Sequence, residues 1–300
     1  MPIGRYAPSP TGDLHVGNLR TGMLAWLFAH ADGAELRLRI DDLDPATARA
    51  EHEQRQLADL AAIGIEFDGP LMRQSDRTEA YRSAIARLAA EDRTYPCYCS
   101  RREIREAASA PHVHLPDGAY PGTCRDLDAQ ERSRRAEARP AAIRIRADEV
   151  ELTFDDRVHG ATTTIVDDFV IQRNDGVPAY NLASVVDDAA QEVEEVVRGD
   201  DLLDGTARQI LLRELLGLPA VHHAHVPLMI NSDGQRLAKR DGAVTLRDLR
   251  ELGHEPVDVR VALAESVGLP ADAARDGLAS LLPHFDPDAL RIGPTVWAGC

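Results

Sequence analysis

The sequence predicts an α/β protein: a Rossmann-like, doubly wound parallel sheet, interrupted by an α+β insertion and followed by a short helical C-terminal region. Three observations carry this. Over residues 1–95 the apolar pattern switches repeatedly between a period near two and a period near 3.6, the rhythm of strands and helices in a parallel sheet. The rhythm breaks near Tyr95, where Cys, His, Pro and Gly gather without a clear period. It resumes with VPAYNLASVVDDAAQ and EVVRGDD, and the segment from residue 247 onward reads as mainly helical.

Taken in order, Pro2 to Ala7 is short and extended, and PSPTGDLH supplies the two prolines and the glycine of a loop. Leu19, Met23, Leu24, Leu27 and Phe28 recur at helical spacing between Val16 and Ala31. Leu36, Leu38 and Ile40 alternate as in a strand. Helices are expected over 46–63, ending at Gly64, and over 77–91. Within the insertion, 129–139 reads as an Arg/Glu-rich helix, and AAIRIRA, VELTFDD and TTTIVDDFVIQR as three successive strands. A last helix of the sheet domain runs from Thr206 to Leu216. The expected division is therefore 1–95 and 179–246 for two halves of one domain, 96–178 for the insertion and 247–300 for the helical end.

Composition narrows the class. The chain has 300 residues, 44% of them apolar, which excludes global disorder and allows roughly two domains. The 34 basic and 50 acidic side chains leave a net charge of −16, so a nucleic-acid partner would need a local basic surface. Arg101, Arg102, Arg105, Arg132, Arg134 and Arg135 could form one, although each also has an acidic neighbour and fits a solvated helix face. No apolar run approaches the ~20 residues of a membrane span, and MPIGRYAPSP lacks the pattern of a signal peptide. A soluble, cytoplasmic protein is expected, with no membrane partner. Four cysteines are too few for a disulfide framework, and the clustering of Cys97, Cys99 and Cys124 favours a metal site. Cys300 stands apart.

Two segments carry candidate chemistry. RYAPSPTGDLHVGN lies where a first strand gives way to a helix, the place where doubly wound sheets bind ligands. The helix entry attracts phosphate, Gly17 permits close approach of a nucleotide ring, and His15 could donate to a phosphate oxygen. The same residues also fit a plain loop with Thr11 or Asp13 as helix cap and a solvated His15. QRLAKRDG, more than two hundred residues later, offers Arg236 and Lys239 to a triphosphate, or is a solvated basic turn.

Together these segments resemble the paired signatures of the class I aminoacyl-tRNA synthetases, with HVGN where that class has HIGH and RLAKR where it has KMSKS. LRIDDLDP, DFVIQRNDGVPAYNLASVVDD and VVRGDD, in order over residues 3 to about 265, are similar to the glutamyl branch. The resemblance implies a ligase in which His15 and Lys239 are catalytic, with Gly17, Asn18 and Arg236 completing the ATP site. It also implies a glutamate pocket of Arg5, Ala7, Ser9, Asp41, Tyr180 and Arg198; the branch has Glu where this chain has Asp41. Asp41, Asp42 and Asp44 also fit strand-end residues capping the following helix, Asp44 above all, and the pairs Asp167–Asp168 and Asp187–Asp188 read as solvated or capping carboxylates.

Only 54 residues follow Leu246, fewer than an anticodon-binding domain needs, and Cys97-Tyr-Cys99 with Tyr120-x3-Cys124 matches the zinc ligand set of a truncated group within the branch. For the fourth ligand, His112 and His114 remain alternatives to Tyr120. Membership in that group implies one structural Zn2+, Mg2+ with ATP, tRNA-independent formation of glutamyl-adenylate, and transfer of glutamate to the queuosine base of tRNA(Asp). A monomer is expected. The alternatives are a minimal enzyme charging the tRNA 3′ end, a nucleotidyltransferase of the same superfold, and a non-catalytic tRNA- or zinc-binding module.

Overall fold

A computed structural model describes residues 1–108, 119–235, 237, 244–290 and 292–300. The first half of the sheet domain alternates as the apolar pattern requires: β1 (Ile3–Tyr6), α1 (Val16–Ala31), β2 (Glu35–Ile40), α2 (Ala50–Ala62), β3 (Met72–Arg73) and α3 (Thr78–Ala90). The helix expected from residue 46 starts at Ala50. Asp44 is the reason: its carboxylate accepts from Ala46 N at 3.0 Å and its carbonyl from Thr47 and Ala48, closing a turn ahead of the helix rather than capping it. Helix α1 is buried along most of its length, because it packs on the sheet and on the C-terminal helices, so almost every face is apolar.

The middle stretch contributes β4 (Thr94–Cys97), α4 (Arg101–Ala108), α5 (Ala129–Ala138), β5 (Ala142–Ile145), β6 (Glu151–Asp156), β7 (Gly160–Ile165) and β8 (Val170–Gln172). TTTIVDDFVIQR is thus two strands, not one. Asp167 and Asp168 break it, both buried and turned into polar partners. Strands from this stretch divide between two sheets. β4, β5 and β8 form an antiparallel sheet of their own, whereas the β6–β7 hairpin joins the main sheet.

The second half brings α6 (Tyr180–Ala190), β9 (Glu195–Gly199), α7 (Thr206–Leu215), β10 (His222–Val226) and β11 (Met229–Ile230). The helical end consists of α8 (Leu246–Glu251), α9 (Pro256–Glu265) and α10 (Ala271–Asp276), and closes with β12 (Thr295–Val296), which pairs with β11. The main sheet runs β3-β2-β1-β9-β10-β6-β7, parallel except for the last hairpin. Its order reverses between β1 and β9, which pair at Gly4 and Glu195. That reversal is the switch point at which open α/β sheets bind ligands. Among the described residues no helix is long and apolar enough to cross a membrane.

A buried charge network ties the halves together beneath the switch point. Asp188 on α6 accepts from Arg39 Nη1 at 2.5 Å and Arg5 Nε at 3.4 Å, and lies 3.7 Å from Arg213 Nη2. Its neighbour Asp187 accepts from Gln74, Tyr81 and Arg77. Both aspartates are buried, so the expectation of solvated or capping carboxylates is corrected here, as it is for Asp167 and Asp168. Charged groups this deep persist because each has opposite charge or hydrogen-bond partners within reach.

Burial pushes the Asp188 carboxyl up, but the Arg39 and Arg5 charges outweigh it and hold the group down to about 2, from an ordinary 3.8. A depressed carboxyl stabilises the fold fully above its unfolded value and loses that contribution as the pH falls through the folded value. Acid titration followed by circular dichroism should therefore show a loss of stability between about pH 4 and pH 2. Asp188→Asn should abolish that step and cost about 3–5 kcal/mol at neutral pH, since three arginines lose their shared anion.

Candidate active site

The loop after β1 and the entry to α1 form one wall of a cavity of about 660 Å3 at the switch point. Helix α1 is capped by His15, not by Thr11 or Asp13. His15 Nδ1 accepts from Asn18 N at 3.2 Å, while Asn18 Oδ1 accepts from His15 N at 3.3 Å, a reciprocal capping box. Because Nδ1 is an acceptor, the ring proton of the neutral imidazole sits on Nε2, which makes that nitrogen a donor. Asp13 instead accepts from Arg55 Nε at 2.6 Å and lies 3.0 Å from Arg247 Nη2. Gly17 has a steric reason as well: a Cβ there would stand 3.0 Å from His15 Cε1 and Nδ1.

Arg5, Ala7 and Ser9 enter the cavity from the end of β1, Asp41 from the end of β2, Tyr180 from the start of α6 and Arg198 from β9. His15, Gly17 and Asn18 line the same space. Arg236 and Lys239 lie outside the described residues. Their neighbour Leu237 lines the cavity, Thr245 forms a bridge with His15, and Val244 O accepts from Val16 N at 2.8 Å. Leu237 thus reaches the cavity, and Val244 and Thr245 reach the entry to α1 beside it.

The two pocket arginines are held differently. Arg5 donates from Nε to Asp188 and from Nη1 to Val197 O at 3.1 Å, and no hydrogen bond among the described residues engages its Nη2. Arg198 is buried, and every partner of its guanidinium is a neutral group. Nε donates to His225 Nε2 at 2.9 Å, Nη1 to Gln209 Oε1 at 2.8 Å and Tyr180 Oη at 3.4 Å, and Nη2 to Thr206 Oγ1 at 2.8 Å and Leu202 O at 3.3 Å. Among the described residues no carboxylate pairs with it. Burial pulls the pKa of Arg198 down from its ordinary value. A buried cation surrounded by neutral acceptors, beside a cavity, is a site waiting for an anion.

Asp41 lines the cavity and already has a partner. Its Oδ1 accepts from Arg39 Nε at 2.7 Å, and burial pushes its carboxyl up, against the pull of Arg39. The charge at this position is therefore shared with an arginine before any ligand arrives. Asp42 caps the turn after β3, accepting from Ser75 N and Oγ at 2.8 and 2.7 Å.

Sequence reasoning missed the residues behind the pocket: Arg39, Asp156, Asp188, Thr206, Gln209 and His225. The available signals were HHAHV, three histidines within one short strand, and the doubled aspartates of α6.

A second cavity of about 770 Å3 shares Ser9, Thr11, Asp41 and Tyr180 with the first and extends to Cys97 and Cys99. There the Sγ atoms of Cys97, Cys99 and Cys124 lie within 4.8 Å of one another, none in a disulfide. Tyr120 Oη is 3.4 Å from Cys97 Sγ and 3.6 Å from Cys99 Sγ, and Cys99 and Cys124 are 3.5 Å apart. A tetrahedral thiolate site with bonds of about 2.3 Å has edges of about 3.8 Å. The donor set matches that size, so it could hold a metal ion. Hydrogen bonds from Cys124 and Cys99 push the Cys97 thiol well down, and Arg144, stacked 3.6 Å over the Tyr120 ring, adds positive charge. Arg135 Nη1 donates to Cys124 Sγ at 3.5 Å. His112 and His114 lie outside the described residues.

The entry to α1, Arg5 and Arg198 thus line one cavity at the switch point of a doubly wound sheet. The family model for the catalytic domain of class I tRNA synthetases (E and Q) matches residues 3–276, and the chain belongs to that family. A protein of Nocardia farcinica called glutamyl-Q tRNA(Asp) synthetase is 56% identical over 98% of this chain and 92% of its own length. One of the same name from Symbiobacterium thermophilum is 45% identical over 95% and 93%. Among solved structures, a glutamate tRNA ligase of Elizabethkingia meningosepticum in complex with its amino acid superposes with a TM-score of 0.83. It is 26% identical and covers 99% of this chain and 67% of that one.

Gly17→Ala tests the helix entry. The new methyl must turn the His15 ring, so affinity for ATP, measured by calorimetry, should fall about tenfold. The thermal midpoint should move little, because alanine favours the helix by about 1 kcal/mol and offsets the local clash.

Proposed function

We propose that the protein activates glutamate with ATP, without tRNA, and transfers the glutamyl group to the queuosine base of tRNA(Asp). The observation that carries this reading is the buried Arg198 guanidinium, which no carboxylate among the described residues pairs, beside Arg5 on the neighbouring strand in a cavity that the entry to α1 also lines. The names of the full-length relatives supply the identity of the acceptor.

The chemistry follows from the placement. Arg198 and Tyr180 take the side-chain carboxylate of glutamate, and Arg5 and Asp41 orient its other end. The α-carboxylate attacks the α-phosphorus of ATP bound with Mg2+, forming a mixed anhydride and releasing pyrophosphate. His15 Nε2–H and the first N–H groups of α1 stabilise the charge that grows on the α-phosphate. Lys239, with Arg236, neutralises the departing pyrophosphate. No protein nucleophile takes part; positioning and electrostatics do the work. A hydroxyl of the modified base then attacks the acyl carbon of the adenylate, forming an ester as the acyl–phosphate bond breaks; AMP leaves and the hydroxyl proton is lost to solvent. The second cavity, open toward Tyr180, holds the acceptor nucleoside. Arg101, on the wall of that cavity, offers positive charge to the tRNA backbone.

In this reading Cys97, Cys99, Cys124 and Tyr120 hold one Zn2+, which braces the subdomain beside the acceptor cavity and takes no part in the reaction. Purified protein should contain about one zinc per chain. Cys124→Ser should lose it and lower the thermal midpoint by several degrees, and Tyr120→Phe should release it to a chelator faster than wild type.

Pyrophosphate exchange run across the amino acids tests the activation step. Exchange should depend on glutamate and proceed without tRNA, and Lys239→Ala should slow it at least about a hundredfold. Nuclease digestion of the glutamylated tRNA should release glutamate attached to the wobble nucleoside. Glutamate recovered on the 3′-terminal adenosine would replace this reading with that of a minimal synthetase.

A further inference from the structure

Behind Arg198 lies a polar chain that the reaction scheme does not use. Arg198 Nε–H donates to His225 Nε2 at 2.9 Å, so that nitrogen is unprotonated and the ring proton is on Nδ1. Nδ1–H in turn meets Asp156 Oδ2 at 2.6 Å. Asp156 is fixed from the other side: its Oδ1 accepts from the backbone N–H groups of Val158 and His159 at 3.0 Å and of His225 at 3.2 Å. The chain crosses three adjacent strands, β6, β10 and β9, and both of its side chains beyond Arg198 are buried. Anion, neutral ring and cation therefore stand in a fixed line that ends at the cavity.

The hydrogen-bond count shows what this line does. A guanidinium has five N–H donors, and all five of Arg198 are engaged by the protein. Three of these bonds are short, 2.8–2.9 Å, to His225, Gln209 and Thr206. Two are long, 3.4 Å to Tyr180 Oη and 3.3 Å to Leu202 O. A carboxylate entering the cavity competes for the long pair, while the short set holds the plane of the guanidinium still.

Resting on the functional reading above, we infer that Asp156 and His225 are positioning residues that fix the tautomer and plane of the Arg198 support, and so set selectivity for an amino acid with an acidic side chain. Asp156 acts through His225, and neither touches the substrate.

Asp156→Asn tests this with little change of shape. The Val158 and His159 N–H groups demand an oxygen at the Oδ1 position, and the His225 N–H, 3.2 Å from both oxygens, can turn to it as well, so the amide nitrogen takes the place of Oδ2 and points at His225 Nδ1. That nitrogen must then become an acceptor, the ring proton moves to Nε2, and two donors face each other at Arg198. The imidazole 15N shifts of His225 should report an Nδ1–H ring in wild type and an Nε2–H ring in the variant. In pyrophosphate exchange the KM for glutamate should rise about tenfold or more, with the KM for ATP changed less than about twofold. The preference for glutamate over glutamine should shrink in proportion. His225→Gln, whose carbonyl can accept from Arg198 Nε, should retain more of that preference than His225→Phe; this pair serves also if Asp156→Asn folds poorly. Unchanged glutamate KM in Asp156→Asn, equal rises for ATP and glutamate, or equal loss in the two His225 variants would overturn the inference. Wild-type protein that shows no exchange with any amino acid would instead overturn the functional reading, and the 15N shifts would still decide the tautomer.

Discussion

One buried anion organises the molecule. Asp188 stands under the point where the strand order reverses and is shared by arginines from β1, β2 and α7. It pairs directly with Arg5 and Arg39 but makes no hydrogen bond with Arg198, whose hydrogen-bonding partners are all neutral. The distribution of positive charge across the pocket follows from that. Arg5 is partly satisfied by Asp188, Arg39 is spent on Asp188 and Asp41, and Arg198 is held by neutral groups with no carboxylate bonded to it among the described residues. The same aspartate thus serves the fold, by joining β1 and β2 to α6 and α7, and the site, by holding Arg5 in place.

Polar groups this deep are costly, and the protein meets the cost by linking them in chains. Asp187 ties α3 to α6 through Tyr81, Asp168 ties β4 to the following loops through Tyr95 and Arg125, and Asp156 ties the edge hairpin to β10. Each chain crosses an element boundary where apolar packing alone would leave relative orientation loosely specified. The thiol cluster does the same for a segment whose own hydrophobic cluster is small.

The architecture was legible where a single physical signal dominated. Apolar spacing marked α1 from Val16 to Ala31, and alternation marked β2. The loop between β1 and α1 announced itself by proline and glycine. Helix α4 was not legible, because Ile104 is its one large apolar residue among Arg and Glu, too little for a period. The break between β7 and β8 was hidden because Asp167 and Asp168 sit inside an apolar run. The pocket residues that could be named all lie in phrases with a resemblance to carry them. Those behind the pocket could not, since Arg5 and Asp188 are 183 positions apart and Asp156 and His225 69. Charge in a helix or strand is ordinarily solvent-facing, and only the folded arrangement reveals that here it points inward.

The position of β1 bears on how the molecule is made. It is a central strand whose parallel partners are β2, about 30 residues on, and β9, about 190 residues on. At a synthesis rate of about 5–20 residues per second, β1 waits roughly 10–40 seconds for its second neighbour. During that interval the apolar face of α1 has only half a sheet to cover it. A newly made chain is therefore exposed to association with its neighbours until Glu195 has left the ribosome and emerged from the exit tunnel.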